Sequence, residues 1–81
     1  MNLYCGIDLG ARNSHFCIVD ELRGAVVAQR RIPNDPELIL EFLGAHGQDT
    51  HVVVESTFNW YWLVDLLKHV GYDVTLAHTV G

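Results

Sequence analysis

The stretch Leu3-Tyr4-Cys5-Gly6-Ile7-Asp8-Leu9-Gly10 constrains this chain more than any other. Leu3, Cys5, Ile7 and Leu9 share one face at a period of two, and Tyr4, Gly6 and Asp8 share the other. That alternation is a β-strand, and it breaks off at Gly10. A carboxylate in so apolar a strand is the anomaly, because burying it unpaired costs on the order of several kcal/mol. Asp8 therefore calls for a cation, a metal or hydrogen-bond donors. Gly6 removes a side chain two residues earlier on the same face and leaves room beside it. A plainer assignment has Asp8 capping the turn Gly10-Ala11-Arg12-Asn13, or pairing with Arg12.

The remaining chain arranges itself around this strand. Ser14 to Val19 alternates as a second strand, Asp20-Glu21-Leu22-Arg23-Gly24 reads as a hairpin loop, and Ala25 to Ile32 reads as a third strand. Its late charges, Arg30 and Arg31, suit a solvated sheet edge that can touch phosphate. Asp35 is a good N-cap, with Pro36 at the first helical position and Glu37 in the first turn. Leu38, Ile39, Phe42 and Leu43 form the apolar stripe of that helix, which Gly44 or Gly47 ends. His51-Val52-Val53-Val54-Glu55 is apolar on both faces, as a central parallel strand is. Ser56, Thr57 and Asn59 offer caps for a second helix, lined by Trp60, Leu63, Val64, Leu67 and Val70 and stopped by Gly71. Tyr72 to Ala77 is a fifth strand.

Right-handed crossovers place the fourth strand beside the first and the fifth beside the fourth. The expected fold is an α/β mixed sheet of order 3-2-1-4-5 with two helices on one face. The other face is left bare, so residues 1–81 read as part of a larger domain or as one half of an oligomer. The bare face is expected to be apolar enough to drive self-association, at least to a dimer.

With 81 residues and a net charge of −5, the chain is one domain at most, and its acidity argues against a main nucleic-acid docking surface. No apolar run approaches the ~20 residues of a membrane span, and the start lacks the pattern of a secretory signal. Cys5 and Cys17 read as reduced core thiols, which suits a cytoplasmic protein without membrane association. The five histidines lack zinc spacing, and neither a Ser-His-Asp nor a Cys-His arrangement is legible.

Glu55 is the second anomaly, a carboxylate closing an all-valine run. Strands one and four are parallel neighbours in the expected order, so Asp8 and Glu55 both fall near carboxyl ends, where open α/β sheets hold ligands. Two carboxylates together repel unless a cation sits between them. Hard oxygen ligands of this kind suit Mg²⁺ or Mn²⁺. The alternative is that Glu55 caps the following helix. Trp60-Tyr61-Trp62 can stack on bases or belong to the core, and Trp62 falls off the apolar stripe.

Tyr4-Cys5-Gly6-Ile7-Asp8-Leu9-Gly10, Pro33-Asn34-Asp35 and Val54-Glu55-Ser56-Thr57-Phe58-Asn59-Trp60-Tyr61-Trp62 together resemble the N-terminal part of insertion-sequence-110 family transposases. The resemblance covers essentially the whole chain, and the Glu-Ser-Thr segment followed by aromatics is its most specific piece. It implies a RuvC-like, ribonuclease-H-like domain with an Asp-Glu-Asp-Asp metal site, of which Asp8 matches the first acid and Glu55 the second. It implies that the last two acids, and a domain supplying a serine nucleophile, lie beyond Gly81, so that these residues alone are inactive. It implies DNA as substrate and a structured guide RNA. Arg12 and Trp62 are the candidate nucleic-acid contacts. Many relatives have Gly where Phe58 stands and His where Gly10 stands. Gly10 keeps a second reading open, an actin-like ATPase or sugar-kinase fragment whose Asp8-Leu9-Gly10 turn cradles phosphate. A non-catalytic dimerisation module is the third.

Overall fold

A computed structural model describes residues 2–56 and 59–77. The element order is β1 (Leu3–Asp8), β2 (Asn13–Asp20), β3 (Ala25–Pro33), α1 (Pro36–Gly44), β4 (His51–Glu55), α2 (Tyr61–His69) and β5 (Asp73–Ala77). The five strands form one sheet of order β3-β2-β1-β4-β5, as the hydrophobic pattern predicts. β2 runs antiparallel to β1 and β3, and β4 is parallel to β1 and β5.

Alternation decides which side chains are buried. Leu3, Cys5 and Ile7 of β1, Ser14, Phe16 and Ile18 of β2, and Val52 and Val54 of β4 all point to one side. There they meet Ile39 and Leu43 of α1 and Leu63, Val64 and Leu67 of α2 in a single core. Both helices therefore cover the same face. The opposite face carries Tyr4, Gly6 and Asp8, with His15 and Cys17 from β2 and Val53 and Glu55 from β4, all partly or fully exposed.

Local chemistry sets the helix ends. The Asp35 side chain accepts a hydrogen bond from the Glu37 N–H at 2.9 Å, Pro36 fills the first helical position, and α1 follows. Leu38 lies outside the buried stripe that the spacing predicts and is 42% exposed. At the end of α2 the Gly71 N–H bonds the Lys68 carbonyl and the Tyr72 N–H bonds the Leu67 carbonyl. That double bond requires a left-handed residue, and Gly71 supplies it at φ 101°. The start of α2 differs from expectation. Trp60 takes the N-cap position, and Asn59 turns the chain into it at φ 41°, a conformation that asparagine tolerates. Thr57, one of the expected caps, and Phe58 lie outside the described residues.

The uncovered face is more polar than expected. The strongly exposed large apolar residues among those described are Leu22, Val26 and Val27 at the β2–β3 hairpin, Leu38 on α1 and Tyr61 on α2. None lies in the centre of the bare face, where Asp8, His15, Glu55, Asp73 and Thr75 break up the apolar positions.

Candidate metal centre

β1 and β4 run side by side with Tyr4 opposite His51, Gly6 opposite Val53, and Asp8 opposite Glu55. The ladder continues one step further, where the Leu9 N–H donates to the Glu55 carbonyl at 3.2 Å. Ile7 and Val54, immediately before the two acids, are 1% and 0% exposed. Asp8 and Glu55 must then face away from the helices, and both are exposed on the bare side. They stand together at the carboxyl ends of adjacent parallel strands.

A shallow depression of about 220 Å³ lies along this pair, lined by Gly6, Asp8, His15, Cys17, Val53 and Glu55 among others. Gly6 is part of its lining. A Cβ there would meet nothing closer than the Tyr4 ring at 3.7 Å, so the space beside Asp8 is open. The pairing register extends the row across the sheet as Arg31, His15, Asp8, Glu55 and Ala77, on β3, β2, β1, β4 and β5 in turn. Spacing along the chain gives no hint of His15. The pairing of β2 with β1 places it opposite Asp8, and only the register of that pair reveals it.

The turn after β1 is held without help from Asp8. The Gly10 N–H donates to the Ser14 hydroxyl at 3.4 Å, that hydroxyl donates to the Asn34 side-chain carbonyl at 2.6 Å, and the Asn34 amide returns a bond to the Gly10 carbonyl at 2.8 Å. The Asn34 N–H also bonds the Arg12 carbonyl at 2.8 Å. The two ion pairs among the described residues are Arg23–Asp20 and His51–Asp73. Asp8 thus neither caps this turn nor pairs with Arg12, and the carboxylate is left for other partners. Arg12 is exposed in the same turn.

The aromatic cluster divides differently from its helical spacing. Trp62 is half-buried and packs against the core. Trp60 stacks on Tyr61 with ring centroids 4.0 Å apart, and Tyr61 is 63% exposed. The most exposed ring of the three is Tyr61.

The donor set fits a divalent cation in part. Two adjacent carboxylates supply the hard oxygens that Mg²⁺ or Mn²⁺ prefers, and Mg²⁺ commonly takes only one or two from the protein. Among the described residues no group of three or more His, Cys, Asp or Glu side chains converges on one ion position.

The sequence profile of the DEDD-type transposases of insertion sequence 110 matches residues 5–80. The chain belongs to this transposase family. Its fold is shared with nucleases of known structure. The large terminase nuclease from thermophilic phage G20c superposes with a TM-score of 0.70 at 20% identity, over 94% of this chain and 44% of that one. The T. thermophilus RuvC in complex with a Holliday junction substrate gives 0.68 at 16% identity, over 96% of this chain and 65% of that one. This transposase segment therefore has a RuvC-like, ribonuclease-H-like fold and spans about half to two thirds of those structures' length. No curated protein matches it by sequence. In this family member the turn that a sugar kinase would turn toward phosphate is otherwise engaged. The Leu9 amide bonds Glu55 and the Gly10 amide bonds Ser14.

Proposed function

We propose that this transposase segment carries the first half of a metal-dependent centre for DNA strand cleavage and exchange. The observation that supports it is the shared register of Asp8 and Glu55 on the uncovered face. Asp8 and Glu55 would hold Mg²⁺ or Mn²⁺, and such an ion, when bound, polarises a phosphodiester and activates water. The chain's own residues do the positioning. Ile7 and Val54 anchor the two strands in the core, the Leu9–Glu55 bond ties their ends together, and Gly6 keeps the approach clear. Family membership favours an Asp-Glu-Asp-Asp set, with the remaining two acids and a serine nucleophile supplied from outside these residues. It also favours a guide RNA that pairs with the DNA, and assembly as at least a dimer. By themselves, residues 1–81 would bind the ion weakly and leave DNA intact, since two carboxylates leave Mg²⁺ most of its waters.

The test is strand cleavage by the intact protein on a labelled DNA substrate with Mg²⁺ present. Asp8→Asn and Glu55→Gln are each expected to reduce the rate at least about 100-fold, since losing even an outer partner of a metal ligand costs about 10–100-fold. DNA binding and the folded state should persist. Cleavage at the unmodified rate by either variant would overturn the assignment.

A further inference from the structure

The bare face of the sheet is electrically divided. On the β1, β4 and β5 side it carries Asp8, Glu55 and Asp73, the last bonded to His51 of the same face. On the β2 and β3 side it carries His15 and Arg31, which are paired with each other across the strands. Ile32, next to Arg31, is buried against the helices, so Arg31 faces the bare side. Arg30 is turned the other way and lies 5.8 Å from the centre of the Phe42 ring. Among the described strand residues of the bare face, Arg31 is the one Arg or Lys, and neither ion pair of the described residues uses it.

A polyanion approaching Asp8 and Glu55 meets repulsion in a chain of net charge −5 with only five Lys and Arg. A divalent ion can offset this at the phosphate being cut, but not at its neighbours. Those need a cation within reach. Strand spacing puts His15 about 5 Å and Arg31 about 10 Å from Asp8 along the row. Both side chains are exposed and lie on the same line as the acids. An arginine there can grip a phosphate through two parallel N–H bonds, and an imidazole can add another donor.

We propose that Arg31 and His15 bind the DNA phosphate next to the one held at Asp8 and Glu55, so that the cut strand crosses the sheet from β3 toward β4. This proposal rests on the metal-centre reading of the acid pair. Arg31 and His15 are positioning residues in it. They fix where the backbone lies and take no part in bond making.

The experiment measures binding of the intact protein to a fluorescent single-stranded DNA oligonucleotide by anisotropy across a salt series. Removing one phosphate contact on a single strand lowers the log–log salt slope by about 0.7. Arg31→Gln is expected to show that decrease, with affinity weakened about 3- to 10-fold at low salt. Arg31→Lys, which keeps the charge, should restore the slope. His15→Gln should weaken affinity with a smaller change in slope. Arg23→Gln, at the hairpin tip and already beside Asp20, should change neither. An unchanged slope and affinity in Arg31→Gln would overturn the proposal, even if cleavage falls, and would assign Arg31 to contacts within the protein. The two readings fail separately. Normal cleavage by Asp8→Asn would remove the metal centre, whereas a normal salt slope in Arg31→Gln would remove only this phosphate contact.

Discussion

Asp8 and Glu55 end two parallel strands at the same register position and face the same side of the sheet. The core enforces this pairing. A slip of β4 by one residue would turn Glu55 into the helices and Val54 out to solvent, because side chains alternate with a period of two. Val52 and Val54 are fully buried, so such a slip would expose two core valines and bury a carboxylate. The hydrophobic pattern that folds the sheet is thus also what brings the two acids together.

Gly10 closes the turn that follows Asp8, and the turn as this chain forms it leaves no room for a side chain there. A Cβ there would run into the Asn13 backbone carbonyl, which has no flexible side chain to move aside. Gly10→Ala is expected to destabilise the fold by about 1–3 kcal/mol, as overpacking does. Thermal unfolding followed by circular dichroism measures it, and an unchanged midpoint would mean the turn has another conformation.

Asn34 holds that turn from a distance, through bonds to Gly10 and to the nearly inaccessible Ser14 hydroxyl. Asn34→Ala leaves Ser14 without its acceptor and should cost about 1–3 kcal/mol. Ser14→Ala in the same background should then cost less than it does alone. A double-mutant cycle by urea unfolding reads the coupling, expected at about 0.5 kcal/mol or more. Strict additivity would show that the bond contributes nothing.

Cys5 is fully buried, and burial, with Cys17 nearby, pushes its thiol from an ordinary 9.0 up to about 12. Burial, with Cys5 nearby, pushes the Tyr72 hydroxyl in the same direction. A thiol whose folded pKa is raised holds its proton more tightly in the folded state than in the unfolded one. The stability it supports is present below pH 9 and is lost as pH rises from about 9 to about 12, by up to ~1.4 kcal/mol per pH unit. Urea midpoints across that range should fall, and the fall should be shallower in Cys5→Ala. Identical slopes for the two proteins would contradict the assignment. In the folded state Cys5 should also resist thiol reagents at neutral pH.

The sheet order, both helices and the placement of Asp8 and Glu55 were legible because each rests on short-range pattern. Period-two alternation in β1 and β4, the Asp35-Pro36-Glu37 start of α1 and the Gly71 stop of α2 are written in consecutive residues. Long-range register was harder to read. His15 joins the acid pair only because β2 pairs with β1 in one particular register, and Asn34 reaches Gly10 across the end of β3. The bare face is more polar than β1 and β4 alone indicate, because β2 and β5 contribute His15, Asp73 and Thr75 to it. Trp62, at the margin of the α2 stripe, is half-buried against the core. A helical stripe predicts which side faces the core, but a residue at its margin is buried or exposed by the neighbouring strand.

The most direct measurement is Mn²⁺ binding to the intact protein by electron paramagnetic resonance, comparing the unmodified chain with Asp8→Asn, Glu55→Gln and Asp73→Asn. Asp73 is an exposed carboxylate of the same face, bonded to His51 at 2.9 Å and away from the acid pair, so it serves as the control. If Asp8 and Glu55 hold one ion between them, each of their substitutions weakens Mn²⁺ at least about tenfold, and Asp73→Asn leaves it unchanged. Equal Mn²⁺ affinity in all four proteins would contradict a shared metal at Asp8 and Glu55.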